Sequence, residues 1–252
     1  MIASNISEVI EIINTIISDA KENNSRHGYF AALYKQVTTQ IKQGIDDGRF
    51  ADSERMDRLD TAFANRYFEA YKQFKQGQAS KSWCVAFRYS KSQELIILQH
   101  LLLGINAHIN LDLGIAVAEL NLEDLDTFKD DYDQINNILE SLLDNIQKIV
   151  GRFSPLLIFL DKIGGTVDET LVNFGIERAR RDAWDFAELL SQQNQKERAR
   201  TIRNMDRRTA MLGRLIAEPG GPLGKAIDVI RFQEGQEVAE IIDALEQFQP
   251  EP

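Results

Sequence analysis

His108 and Asp112 stand four residues apart in the most apolar stretch of the chain, and His100 lies about two helical turns before His108. At about 100° per residue, positions four apart share one face of a helix, with Cβ atoms about 5–6 Å from each other. An imidazole nitrogen and a carboxylate oxygen so placed suit one divalent ion, with zinc, manganese or iron as the candidates. His100 is displaced from His108 by roughly 80° on the same count, and Gly104 between them leaves room beside the backbone. The third histidine, His27, and the acidic Asp60 fall on the apolar stripes of two other predicted helices. The residues therefore predict a metal site built from His27, His100, His108 and Asp112. Asp60 is a further ligand or the base acting on metal-bound water. Arg66 is the second catalytic candidate, because an unpaired carboxylate inside a protein is costly and an arginine satisfies it as well as a metal does.

The same residues support a second reading. A histidine making one buried hydrogen bond is ordinary, and Asn106 and Asn110 can crosslink helices. In that case the protein is a non-catalytic helical protein that holds a small apolar ligand or a partner helix, and the buried polar groups fix its packing. A nucleophile at Cys84 is the weaker alternative, since the residue sits in an apolar string with no histidine nearby in sequence.

The elements that must position these groups are helices. Leu, Ile, Ala, Glu, Gln, Lys and Arg dominate, with 5 prolines and 15 glycines in 252 residues, too few for a turn-rich β protein. A first amphipathic helix is predicted from Ser4 to Asn23, capped by Ser4 or Ser7. A second runs from Arg26 to Asp46 with the stripe His27, Phe30, Tyr34, Val37 and Ile41. A third, capped by Ser53, reaches Gln76 with Met56, Asp60, Phe63, Tyr67, Ala70 and Phe74 inward. Gly77 to Gln93 reads as an irregular or short helical connection with Trp83 buried. The central helix follows from Ser92 or Glu94 to Glu119.

Beyond it, a long helix from Asn121 or Asp124 to Val150 carries Phe128, Tyr132, Ile135, Leu139, Leu142, Ile146 and Ile149 in strict four-three alternation. That seam is typical of a bundle. Ser154 and Pro155 open a short apolar helix, and Thr166 with Glu169 forms a capping box for the next. The later segment pairs Arg178 with Asp182 and Arg181 with Asp185 at four-residue spacing. Arg200, Arg203, Arg207 and Arg208 belong to a solvated, ion-paired helix. Pro219 to Pro222 is the strongest breaker, and a last amphipathic helix, split at Gly235, follows. The expected fold is all-α: a bundle domain over 1–218 around the central helix, and a C-terminal helical arm over 219–252 that is an appended arm or an oligomer contact.

Composition sets the outer bounds. A net charge of -10 argues against non-specific binding to nucleic acid or an anionic membrane. A single cysteine forms no internal disulfide and agrees with a reducing cytoplasm. The central helix is long enough to span a bilayer, but six polar residues within it would be costly in lipid. No nucleic-acid partner and no membrane are expected; an unidentified small molecule and a second copy of the chain are.

Several strings together, HGYFAALYKQVT, RMDRLDTAFANRYFEAY, SWCVAF, LQHLLLGINAHINLDLGIA and ARRDAW, resemble a mainly bacterial family catalogued as domain of unknown function 5995. The resemblance covers roughly Arg26 to Leu190 and implies one helical unit, with no activity attached. The His-x-x-x-Asp pair is also similar to those of helical zinc hydrolases of the phospholipase C and nuclease P1 type. Only one such pair is present, and the N-terminal ligating tryptophan is absent, so this likeness implies one or two metals rather than a three-metal cluster. A metal-dependent hydrolase is the leading expectation.

Overall fold

Local capping decides where the first helices begin. Helix α1 (Ile6–Glu22) starts after Asn5, whose side chain accepts from the Glu8 N–H at 3.0 Å. Ser4 and Ser7 do not serve as the cap. Asn5 holds the extended backbone a cap requires, and the Ile6 N–H is taken by Asp57 at 2.9 Å. Helix α2 (His27–Asp46) follows, and α3 (Ser53–Lys75) is capped by Asp52 rather than Ser53, with Asp52 accepting from the Arg55 N–H at 2.8 Å. The connection carrying Trp83 is a short helix, α4 (Lys81–Arg88). Its first N–H groups, of Lys81 and Ser82, donate to Asp206 at 3.0 and 2.9 Å, which anchors that helix end with a carboxylate.

The central helix α5 (Ile97–Glu119) begins later than the apolar pattern suggests. Ile96 is extended, and its N–H donates to the side chain of Gln99 at 3.0 Å, so the chain enters the helix there. By length and composition α5 could cross a membrane, but 83% of its apolar window is buried inside the protein. Packing against neighbouring helices accounts for its apolarity.

Helix α6 (Lys129–Phe153) also starts later than expected, after a single turn of tighter helix at Asp126–Phe128. Then come α7 (Ile176–Ser191), α8 (Gln195–Ala217), α9 (Gly221–Gln233) and α10 (Val238–Glu246). The break between α9 and α10 is the one expected near Gly235. In α7 the ion pair that forms is Glu177 with Arg181 at 2.8 Å; the expected pairs to Asp182 and Asp185 do not form. The observed order, acid before base, is the one helices favour.

The computed structural model describes residues 1–121, 125–157, 175–235 and 237–247, among which there is no strand. The short apolar helix expected after Ser154 lies outside the described residues beyond Leu157, and the Thr166–Glu169 capping box lies wholly outside them.

The stretch after Pro219 comes back to the body of the molecule. Ile241, Ile242 and Leu245 of α10 are buried in the same cluster as Ile13, Ile17, Ala20 and Tyr29. Gly28 permits that approach, since a Cβ there would stand 2.4 Å from Ile242 Cδ1. Lys21 closes the contact from outside, paired with Asp243 and Glu246, each at 2.5 Å.

Candidate functional site

Helix α5 is not uniformly α-helical. His108–Leu113 forms a π turn between the α-helical stretches Ile97–Ala107 and Gly114–Glu119. A π turn admits one additional residue, shifts the phase of every later position, and recurs at functional sites. Here it holds His108 and Asp112 together: His108 Nδ1 and Asp112 Oδ2 are 3.2 Å apart, both buried. Trp83 Nε1 donates to the same Oδ2 at 2.8 Å, and Arg66 Nε stands 3.4 Å from Oδ1. Arg66 also pairs with Glu119 at 3.1 Å. Asp112 is thus a buried carboxylate with an arginine, an indole and an imidazole around it, which offsets the cost of its burial.

The imidazole is held as firmly. The Phe63 ring stacks on His108 with centroids 3.5 Å apart and planes 6° from parallel, and Tyr34 meets it edge-on at 4.7 Å. Burial lowers the His108 pKa, with Asp112 opposing. In the neutral ring Nδ1–H donates to Asp112, which leaves Nε2 as an acceptor. That Nε2 has no hydrogen-bond partner among the described residues.

Asp60 faces the same interior from α3 with 3% exposure, yet its Oδ2 has no partner either. Burial first, and then the Asp57 charge, push its pKa up to about 8. At neutral pH it is mainly a neutral acid. Arg66, expected as a partner for either aspartate, pairs with Asp112.

His27 and His100 lie elsewhere. His27 is bonded to Ser25 Oγ at 2.8 Å and packs on Tyr71 at 5.1 Å; burial lowers its pKa to about 4. His100 meets Tyr29 edge-on at 5.8 Å, and burial, then the Arg26 charge, lower its pKa to about 3. The predicted set of His27, His100, His108 and Asp112 is therefore not assembled. Among the described residues no group of three or more His, Cys, Asp or Glu side chains is placed to hold a metal ion. The physical reason is axial: His100 and His108 both pack on α2, and His27 and His108 both on α3, but in each case about two helical turns apart, roughly 12 Å along the axis. Asn106 does crosslink helices, its Nδ2 donating to the Thr209 carbonyl of α8 at 3.0 Å, whereas Asn110 Nδ2 donates to Asn106 Oδ1 at 3.0 Å within α5.

A family model described as "Family of unknown function (DUF5995)" matches residues 6–219. The chain belongs to this family. No curated protein and no solved structure matches it. The string HLLLGINAHINLDLG, which carries the resemblance, is the segment that includes the π turn and the His108–Asp112 pair of this DUF5995 protein.

His108 and Asp60 are also part of a cavity of about 490 Å³. Its walls include residues of the stripes that periodicity assigns to the core on α2, α3 and α6, joined by a face of α5. They are Phe30, Tyr34, Val37 and Ile41 of α2; Met56, Asp60 and Phe63 of α3; Leu101, Ile105 and Ile109 of α5; and Ile135, Leu139, Leu142 and Ile146 of α6. Phe30 reaches its place because Gly104 has no side chain: a Cβ there would stand 2.3 Å from Phe30 Cγ. Among the described lining residues there is no Ser, Thr or Cys, and the hydroxyl they present is the phenol of Tyr34. Cys84 is outside it, bonded to the Ala79 carbonyl. Arg180 of α7 completes the lining and was not singled out by its sequence context.

Proposed function

We propose that this DUF5995 protein is a binding protein whose cavity between α2, α3, α5 and α6 holds a small, largely apolar molecule. The observation that carries the reading is the cavity's size and lining. At about 490 Å³ it falls within the range of roughly 300–1,000 Å³ of small-molecule sites. Its aliphatic and aromatic walls give water few partners. The unpartnered Asp60 carboxyl and His108 Nε2 are two polar points on an apolar wall, the arrangement that orients a bound molecule.

The test is a fluorescence titration of the purified chain with Nile red, a neutral apolar dye. The wild type binds it saturably with a blue shift in emission. Ile105→Trp, which puts an indole into the cavity from α5, lowers the affinity at least tenfold while the helical circular dichroism is retained. Equal binding by both proteins refutes the reading.

A further inference from the structure

Among the described residues, two carboxylate or guanidinium side chains line the cavity, Asp60 and Arg180. Arg180 is 3% exposed. Its Nε donates to Asn136 Oδ1 at 2.6 Å, its Nη2 donates to the Tyr132 carbonyl at 2.5 Å, and its guanidinium lies 4.2 Å from the centroid of the Tyr132 ring. These contacts fix its plane and leave Nη1 without a hydrogen bond among the described residues. None of the ion pairs among those residues involves Arg180 either. A guanidinium stays charged inside proteins, and a buried charge without a counter-ion is costly. Asp60 does not supply that counter-ion, because burial keeps it largely protonated at neutral pH. Asp133, whose charge also reaches Arg180, is not in ion-pair contact with it and is itself paired with Lys129 at 2.7 Å, so among the described residues the fixed positive charge on the cavity wall is Arg180, in mainly aliphatic and aromatic surroundings.

We infer that the ligand is an amphipathic anion, an alkyl carboxylate of medium or long chain, with its head group on the Arg180 guanidinium and its chain along Ile135, Leu139, Ile105 and Leu101. A planar guanidinium clamped along one edge is pre-organised for a carboxylate. A phenolate or an alkyl phosphate would satisfy the charge but not the shape as well, since the walls beyond Arg180 are flexible aliphatic side chains suited to a thin chain.

This inference rests on the cavity-binding reading, and the experiment separates the two. Nile red bound to the full chain at neutral pH is displaced with dodecanoate, dodecanol and dodecylamine, each below its aggregation concentration. Dodecanoate is expected to displace the dye at roughly tenfold lower concentration than dodecanol, with dodecylamine weakest, a preference in keeping with one charge-assisted contact. In Arg180→Gln that preference disappears while dodecanol displaces as before; Arg180→Lys, which keeps the charge but loses the planar clamp, retains part of it. The wild-type comparison needs no variant, so a misfolded Arg180→Gln does not weaken the test. If Nile red binds but dodecanoate is no better than dodecanol, or if Arg180→Gln weakens both alike, the anion assignment falls and the cavity-binding reading stands. If neither the dye nor any of the three amphiphiles binds, both fall.

Discussion

Asp112 and Asp60 are two aspartates on inward faces of neighbouring helices, 2% and 3% exposed, with opposite surroundings. Asp112 is met by Trp83, His108 and Arg66. Asp60 faces the cavity, and no side chain comes to its Oδ2. A polar group whose partners are all supplied by the protein has a structural task. One left open on the wall of a cavity is available to something that is not part of the chain. By this criterion the Asp112 cluster holds α3, α4 and α5 together, and the Asp60 wall is the part that meets a ligand.

The largest effect that tests this contrast comes from Asp112→Ala. It strands a buried indole N–H and a buried imidazole N–H and leaves the half-buried Arg66 with Glu119 alone, and should cost about 3–5 kcal/mol in urea unfolding. Asp60→Asn should do the reverse. The folded Asp60 pKa is raised to about 8, so the folded state holds a proton that the unfolded chain has released above its own, ordinary pKa. Stability from that proton is fully present below the unfolded pKa and is lost as pH rises through about 8. The variant should match the wild type near pH 4, and by pH 9 exceed it on the order of a few kcal/mol. If Asp60→Asn is as damaging at neutral pH as Asp112→Ala, the contrast between the two aspartates fails.

These two residues also show how far the sequence reached. The inward stripes of α2, α3 and α6 were legible because a four-three period specifies a face. The period does not say whether that face meets another stripe or an open space, so positions such as Ile135 and Leu139 read as packed core and turned out to line a cavity. The His108–Asp112 pair was legible from its spacing, and Arg66 as a partner for a buried aspartate from its charge. The convergence of the three histidines failed because a shared inward face does not fix the level along the axis at which two helices meet, and His27 and His100 sit about two turns from the level of His108. The π turn left no trace in composition. Arg180 was hidden in ERARRDAW, where a run of charges reads as a solvated surface.

The smallest of the three effects comes from Trp83→Phe, which keeps most of the ring packing and removes the indole donor to Asp112 Oδ2. A hydrogen bond to a charged group is worth about 1.5–3 kcal/mol. That loss should be visible in urea midpoints, with Nile red affinity unchanged, because Trp83 serves the Asp112 cluster and does not line the cavity. A variant that loses the dye without losing stability would place Trp83 on the ligand side of the comparison.

The cavity itself is tested most directly by a crystal structure of the protein with dodecanoate carrying a bromine at its chain end. The bromine's anomalous signal should lie between α5 and α6 among the aliphatic side chains, with carboxylate density against the Arg180 guanidinium. Bromine found only on the outer surface, with the interior closed by the protein's own side chains, would contradict the account.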